Sequence, residues 1–354
     1  MLVTAVIIGI TCSRLYAQNA VSRQQMRNIY EEVKTPYKFG LVMAPEDSTK
    51  MVDSPSIFRY EDCWYMSYIV FDGKGYETWL AKSQNLLNWQ TLGRILSFTE
   101  DTWDANQKAG YMALQDYTWG GSYNIQKYDN KFWMSYLGGS SSGYEAGVLG
   151  VGIAYNSDLN KPGEWSTLGH HVLSPKDKDK RWFEKETIYK STVIWDKTSS
   201  LGSPFVMFYN AKGSDSLAEK YSAERIGVAV SDNMINWKRT GTDPVLDHNT
   251  GITGDAFITR IDSVWVMFYF GAFWKPGAFD RFACSYDLIH WTDWNGDDLI
   301  KSSEPYDDLF AHKPFVIKYN GVVYHFYCAV DKKGRRGIAV ATSVDLGKSK
   351  LVFK

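Results

Sequence analysis

The hydrophobic pattern from Phe39 to Ser343 consists of short strand-like runs without sustained helical periodicity. One motif recurs, in which a first strand is followed by a Gly, Asn or Asp turn and then by a second strand rich in aromatic residues. The five second strands occupy 64–68, 132–136, 205–209, 265–269 and 323–327. A third strand of small residues follows each of them and ends in serine at Ser83, Ser157, Ser231, Ser285 and Ser343. A recurring strand unit indicates a repeat architecture.

A tryptophan opens a fourth strand in four of the five units, at Trp89, Trp165, Trp237 and Trp291. Four antiparallel strands in each of five units predict an all-β fold, a five-bladed β-propeller, which hides most sheet edges by radial repetition. The last unit lacks its tryptophan strand. We expect either 351–353 or 39–43 to supply the missing edge.

Two segments precede this array. Residues 1–17 have the outline of a signal peptide, because the apolar run 2–10 is too short to span a bilayer and Ala17 offers a small residue for cleavage. Residues 18–38 are a leader with weak helical character, and 39–354 form a single propeller domain. We therefore expect an exported protein, periplasmic or extracellular, without a transmembrane segment in the mature chain.

The cysteines give little sign of a disulfide framework. Cys12 follows a poor lipobox, which argues against a lipid anchor, and its removal with the signal leaves Cys63, Cys284 and Cys328. Each of these three lies in a strand-like apolar run, so we expect buried free thiols.

Composition narrows the classes of function. The net charge is −1 and no basic run occurs, which argues against a nucleic-acid partner. Aromatic residues make up 16% of the chain, and we assign most of this excess to packing between blades. The sequence has no Gly-rich phosphate loop, Cys-x-x-Cys pair, His-Glu-x-x-His motif or Gly-x-Ser-x-Gly elbow.

A propeller brings the starts of its first strands together around one axis. Acids stand at three of these starts, with Asp53 in the first unit, Glu184 and Glu186 in the third and Asp255 in the fourth, while His312 stands in the fifth. Gathered carboxylates are unfavourable unless they have a task, and hydrolysis of a glycosidic bond uses such a pair.

From Phe39 to Ser343 the chain resembles the five-bladed propeller glycoside hydrolases of families 43, 32, 68, 117 and 130, and in style it is most similar to family 43. The resemblance rests on Asp53-Ser54-Pro55, the repeated Trp-Tyr-Met-Ser-Tyr type strands and His312-Lys313-Pro314. It implies an inverting, exo-acting hydrolase of a plant or algal oligo- or polysaccharide. Asp53 is then the general base, and Glu186 or Glu184 the general acid.

The second unit departs from the family 43 pattern, because the start of its first strand, expected at 119–124, carries Gly121 where that family has an aspartate. Asp255 would then take over its work. Family 117 pairs two aspartates with a histidine acid, so Asp53, Asp255 and His312 form a rival catalytic set. Two other functions stay open at this point, a family-130-like phosphorylase and a non-catalytic carbohydrate-binding propeller.

Further residues near strand starts and in long connections are candidates for substrate binding. They are Glu184, Trp119, Lys190, Trp274, Arg281, Lys313 and Arg336. Two or more cations facing the pocket would favour an acidic sugar or a phosphate. No cofactor is required, although the resemblance also allows a structural calcium ion on the axis with His312 as a ligand.

Overall fold

The computed structural model describes residues 20–213 and 223–354. The expected signal peptide and Cys12 lie outside the described residues. The described part contains one α-helix, α1 (Arg23–Val33), a short 3₁₀ helix at Trp182–Glu184 and the strands of the repeat array. The strands are β1 (Tyr37–Met43), β2 (Met51–Tyr60), β3 (Cys63–Phe71), β4 (Tyr76–Ser83), β5 (Gln90–Leu96), β6 (Gln107–Met112), β7 (Phe132–Gly139), β8 (Gly150–Asn156), β9 (Ser166–Leu173), β10 (Thr187–Trp195), β11 (Phe205–Lys212), β12 (Glu224–Ser231), β13 (Trp237–Thr240), β14 (Ile252–Ile261), β15 (Val264–Ala272), β16 (Ala278–Ser285), β17 (Thr292–Asp293), β18 (Ile300–Lys301), β19 (Phe310–Tyr319), β20 (Val322–Val330) and β21 (Arg336–Thr342).

The strands pair as four-stranded antiparallel units. Strands β2 to β5, β6 to β9 and β10 to β13 each pair in chain order, and β14, β15 and β16 are followed by the short β17 and β18, which both pair with β16. In the last unit, β19, β20 and β21 are completed by β1, which runs antiparallel to β21 from Tyr37 opposite Thr342 to Met43 opposite Ile338. This confirms the all-β prediction, and the early strand supplies the missing edge.

The first strands lie together at the centre of the fold. Each contacts the first strand of the next unit, from β2 through β6, β10, β14 and β19, and β19 contacts β2 again. A single parallel bridge also joins the first unit to the second, at Tyr76 opposite Gln107. Another joins the third unit to the fourth, at Glu224 opposite Ile252. The starts of these strands therefore face a common space.

The second unit begins earlier than the sequence predicted. Its first strand is β6, not 119–124, so Gly121 does not occupy the position expected to match Asp53. The prediction was wrong because β6 begins with polar residues and reads as a loop. Gln107 and Lys108 are nevertheless buried, since the Gln107 amide donates to the carbonyl oxygens of Ser141 (2.9 Å) and Gly143 (2.7 Å), and Lys108 donates to Thr99 Oγ1 (2.9 Å).

Helix α1 packs on one face of the array. Ser22 caps it, with Oγ accepting the backbone N–H of Gln25 at 3.2 Å, and Met26, Ile29 and Val33 are buried at helical spacing. The weak helical character expected for the leader is confirmed over these eleven residues. No helix in the two described ranges has both the length and the apolar character needed to cross a membrane.

The three cysteines of the described ranges are free, as predicted. Cys284 and Cys328 are buried, and Cys63 is half-buried.

Candidate active site

A cavity of about 290 Å³ opens where the first strands begin. Its volume lies at the low end of small-molecule pockets, which range from about 300 to 1,000 Å³. Its ionisable lining comprises four carboxyl groups, three cationic side chains, one imidazole and four phenols. These are Asp53, Glu145, Glu224, Asp255, Lys190, Lys313, Arg336, His312, Tyr76, Tyr111, Tyr144 and Tyr189.

Bulges in four first strands aim side chains into this cavity. Strands β2, β10, β14 and β19 each shift register there. Three of these bulges contain a residue in the left-handed region, Ser54 (φ 50°), Asp255 (φ 54°) and Lys313 (φ 65°). Such bulges concentrate beside active sites because they redirect side chains. Asp53 precedes its bulge whereas Asp255 lies inside one, so the two aspartates are not strictly equivalent.

Asp53 is the buried anion of an ion cluster. Its Oδ2 accepts hydrogen bonds from Lys313 Nζ (2.9 Å) and Arg336 Nη1 (2.7 Å), and Oδ1 accepts the backbone N–H of Ser54 (2.7 Å). Burial acts to raise the pKa of Asp53, but the charges of Lys313 and Arg336 outweigh it and hold this pKa well below its ordinary value. Asp53 is therefore ionised across the neutral range.

The ion cluster extends to a loop of the second unit. Arg336 Nη1 also donates to Tyr144 Oη at 2.7 Å, and Tyr144 is followed by Glu145, whose Oε1 accepts a hydrogen bond from Tyr76 Oη at 3.3 Å. Burial raises the pKa of Glu145, although Lys313 opposes the rise. Glu145 thus lines the cavity with less neutralisation by neighbouring cations than Asp53 has.

Glu224 faces the same cavity from the start of β12. Burial, followed by the negative charges of Glu145 and Asp255, raises the pKa of Glu224 to about 8. Its backbone N–H donates to the carbonyl oxygen of Gly251 at 2.9 Å, which fixes the strand start. The carboxyl group of Glu224 is protonated at neutral pH.

Asp255 is held by a reciprocal pair of bonds to Asn210. Asn210 Nδ2 donates to Asp255 Oδ1 (2.8 Å), and the Asp255 backbone N–H donates to Asn210 Oδ1 (2.7 Å). Gly254 leaves room for this amide, since a Cβ there would lie 2.4 Å from Asn210 Nδ2. Lys190 Nζ lies 3.8 Å from Asp255 Oδ2.

Lys190 is the least satisfied polar group of the cavity wall. Its side chain is only 5% exposed, and its Nζ has no hydrogen-bond partner within the two described ranges. Burial lowers the pKa of Lys190. Because a buried donor without a partner is unfavourable, this ammonium is ready to bind a substrate oxygen.

His312 lies against Phe270, with ring centroids 5.2 Å apart, and its Nδ1 donates to the carbonyl oxygen of Cys328 at 3.3 Å. Burial, together with the charge of Lys313, lowers the pKa of His312 to about 3. The imidazole is therefore neutral at physiological pH. Its surroundings do not fit the expected axial calcium ion, because Lys313 and Arg336 place positive charge beside it, and no cluster of three or more His, Cys, Asp or Glu suited to a metal occurs in the described ranges.

The predicted cavity residues fall into two groups. The structure brings together Asp53, Asp255, His312, Lys190, Lys313 and Arg336. It places Glu184, Glu186, Trp119, Trp274 and Arg281 outside the cavity lining. The roles assigned to all of them stay predictions, but the second group has other contacts that explain its position.

Glu184 is fully buried in an ion-pair network of the third unit. It accepts hydrogen bonds from Tyr209 Oη, Arg239 Nε (2.6 Å) and the backbone N–H of Arg181 (2.9 Å). Glu186, two residues later, is exposed at the edge of the same loop. A fully buried network of this kind points to a structural role for Glu184.

The two tryptophans and Arg281 make contacts outside the cavity, Trp119 with helix α1 and the other two with neighbouring loops. Trp119 donates its indole N–H to Glu32 of α1 at 2.8 Å. Trp274 stacks on His248 with ring centroids 4.0 Å apart, and Arg281 donates to the carbonyl oxygens of Trp294 and Gly296.

Glu145 and Glu224 were missed from the sequence because only first-strand starts were searched. Glu145 lies in the Gly- and Ser-rich connection after β7, and Glu224 opens a third strand. A glutamate beside a tyrosine in a Gly- and Ser-rich connection is the one local signal that could have pointed to Glu145.

Solved structures include close relatives of this protein. No protein-family model and no curated protein matches the sequence. A solved structure described as a glycoside hydrolase is 50% identical and covers 94% of this chain and 99% of its own, with a TM-score of 0.91. The protein belongs to the glycoside hydrolases. A structure described as a BT0996 RGII complex is similar to this glycoside hydrolase at 51% identity, 94% and 98% coverage and the same TM-score.

More distant structures share the fold of this glycoside hydrolase. A thermostable family 43 glycoside hydrolase is 15% identical over 87% of this chain and 96% of its own, with a TM-score of 0.60. Structures from families 117 and 130 have TM-scores of 0.63 and 0.62 at 14% and 12% identity. The resemblance to the propeller glycosidase group is thus confirmed.

The structural role of Glu184 predicts a contrast in stability. Glu184→Gln removes the buried carboxylate that pairs with Arg239 Nε, while Asp177 and Asp179 still neutralise this guanidinium. The loss should therefore be about 1–3 kcal/mol, the cost of leaving a buried donor without its partner. Glu100→Gln, a change at an exposed glutamate of another loop, should stay within about 0.5 kcal/mol of wild type. Urea unfolding of both variants measures the difference, and equal free energies of unfolding would contradict it.

The ion cluster of Asp53 predicts a pH-dependent contribution to stability. Because its pKa is lowered on folding, Asp53 stabilises the protein above the unfolded value of about 3.9, and this contribution is lost as pH falls through the folded pKa. Urea unfolding from pH 7 to pH 3 should show Asp53→Asn less stable than wild type at pH 7, with a gap that narrows below about pH 4. A gap that is constant over the whole range would contradict the depressed pKa.

Proposed function

We propose that this glycoside hydrolase removes a terminal sugar from a plant polysaccharide, with Glu224 as general acid and Glu145 as its partner carboxylate. The supporting observation is a small cavity in which two half-buried glutamates both have raised pKa values, that of Glu224 about 8. We further infer that the five four-stranded units are the blades of a five-bladed propeller, since their first strands contact one another in a closed cycle.

The charge state of Glu224 suits an acid. A general acid must hold a proton at the working pH and release it to the leaving oxygen, which favours a carboxyl group with a raised pKa. The charge of Glu145 is itself one cause of that raised pKa, so the two groups interact electrostatically. Glu145, in its ionised form, then activates the attacking water. The sugar is released with inverted configuration, as the resemblance implies, and proton NMR of the first-formed anomer tests this.

Asp53 is assigned to positioning. A carboxylate with a strongly lowered pKa is a weak base, and both of its oxygens already accept hydrogen bonds. Through Arg336, which also binds Tyr144, it fixes the loop that presents Glu145. The expectation that Asp53 is the general base stays a prediction.

The substrate class rests on the cavity and on one relative. A volume of about 290 Å³ suits one terminal sugar better than the middle of a polysaccharide, which supports exo action. The structure whose description includes RGII is 51% identical to this chain, so we take RGII as the first substrate to test. Lys190 and Asn210 supply donors for the hydroxyl groups of the bound sugar.

A phosphorylase has less support than a hydrolase. Lys313 and Arg336 are both paired with Asp53, and Glu145 and Asp255 line the same cavity, so a phosphate dianion would lie close to several carboxyl groups. Addition of inorganic phosphate should therefore leave the product a free sugar, with no sugar phosphate detectable.

The acid role of Glu224 is tested with two leaving groups. Glu224→Gln should lower kcat/KM on RGII oligosaccharides by about 10²–10⁴-fold, because the leaving oxygen is no longer protonated. The loss should be smaller on the aryl glycoside of the released sugar, whose leaving group needs no proton. Glu145→Gln should lower both activities alike, and Glu186→Gln, outside the cavity, serves as the control. Wild-type activity of Glu224→Gln would remove Glu224 from the mechanism.

The raised pKa of Glu224 also predicts two pH effects. Activity should fall above about pH 8, as Glu224 loses its proton. The folded protein binds this proton more tightly than the unfolded chain, whose Glu pKa is about 4.3, so wild type should lose stability as pH rises from about 4 to 8. Glu224→Gln should then be more stable than wild type at pH 8 and equal to it near pH 4. Melting temperatures across this range measure the effect, and a pH-independent difference would contradict it.

A further inference from the structure

Phe273 is an exposed aromatic residue at the rim of the catalytic cavity. It lies in the turn between β15 and β16, lines the cavity and is 66% exposed. Among the large hydrophobic residues of the described ranges, only Val352 is more exposed, at 69%. Burial of its ring therefore does not explain why a phenylalanine stands there.

The backbone at Phe273 is held in an unfavourable conformation. Its φ of 67° lies in the left-handed region, which residues with a side chain rarely adopt. Gly251 packs against this turn, since a Cβ there would lie 2.3 Å from the carbonyl oxygen of Ala272 and 3.0 Å from the carbonyl carbon of Phe273. Strain that neighbouring residues maintain is typical of functional sites.

Trp274 braces the same turn from the other side. Its indole N–H donates to the carbonyl oxygen of Ile252 at 2.9 Å, and its ring lies parallel to His248, with centroids 4.0 Å apart. The tryptophan predicted to bind sugar thus holds the turn in place, and its neighbour presents the ring at the cavity.

Phe273 and Glu224 are supported by one backbone segment. The carbonyl oxygen of Gly251, the glycine under Phe273, accepts the backbone N–H of Glu224 at 2.9 Å. A general acid donates its proton to the oxygen of the leaving group, so the leaving sugar must lie beside Glu224. Phe273 lines the same cavity and its turn packs on the same segment, so its exposed ring is available to that sugar.

We propose that Phe273 is the stacking platform for the sugar on the leaving-group side of the scissile bond. An aromatic face offers a large, rigid area on which the C–H face of a sugar ring packs. The enzyme would then select oligosaccharides whose leaving sugar presents such a face. This inference rests on the proposed function of Glu224 and concerns a subsite that the hydrolytic step itself does not require.

The test compares Phe273→Ala and Phe273→Tyr with wild type in two measurements. The first is KM for RGII oligosaccharides, and the second is the affinity for the free monosaccharide recovered from the digest. Phe273→Ala should raise KM for the oligosaccharides about fivefold and leave the affinity for the monosaccharide, measured by calorimetry, unchanged. Phe273→Tyr should keep the wild-type KM. Val352→Ala, which removes a similarly exposed side chain outside the cavity, is the matched control.

A third variant separates binding from folding. Phe273→Gly accepts the left-handed backbone without strain, so its melting temperature should equal or exceed that of wild type while its KM rises as in Phe273→Ala. An unchanged KM in both variants, or an equal loss of monosaccharide affinity, would overturn the platform. The proposed function fails by a different result, in which Glu224→Gln retains wild-type activity on the same oligosaccharides.

Discussion

The ion cluster of Asp53, Lys313 and Arg336 is the interaction on which the site depends. It joins residues 260 and 283 positions apart and so connects the first unit of the array to the last. Desolvation of buried charges offsets much of their attraction, so the cluster contributes only modestly to the free energy of unfolding. Its main effect is to fix the orientation of the three side chains. Arg336 also donates a hydrogen bond to Tyr144, and this contact holds the loop so that the next residue, Glu145, lines the cavity.

The distribution of cations over the acids explains the chemistry of the cavity. Asp53 forms ion pairs with Lys313 and Arg336, and Lys190 lies beside Asp255. Glu145 and Glu224 have no cation of their own in the described ion pairs, so burial and the negative charges of neighbouring carboxylates raise both of their pKa values. Asp53 thus supplies a fixed negative charge, and the raised pKa values of the two glutamates suit the proton transfer proposed for them.

Much of this structure is predictable from sequence because repeats are local patterns. The aromatic second strands and the serine-ended third strands mark the units. Six candidate residues line one cavity, and their roles stay predictions; they are Asp53, Asp255, His312, Lys190, Lys313 and Arg336. Glu145 and Glu224 were not found, since one comes from a loop and the other from a third strand, and only the packing of neighbouring units brings them together. Other residues were predicted to bind substrate but contact neighbouring parts of the fold instead, and these are Trp119, Trp274 and Arg281. Nothing in their sequence context distinguishes such a structural contact from a ligand contact.

The central claim is that Glu224 carries a proton at neutral pH while Asp53, in the same cavity, is ionised. Carbon-13 NMR of protein labelled at the glutamate side-chain carboxyl groups follows this directly, with the Glu224 signal assigned by its absence in Glu224→Gln. The account predicts a titration midpoint near pH 8 for that signal. A midpoint near the ordinary value of about 4.3 would contradict it, because the carboxyl group would then have no proton to give at neutral pH.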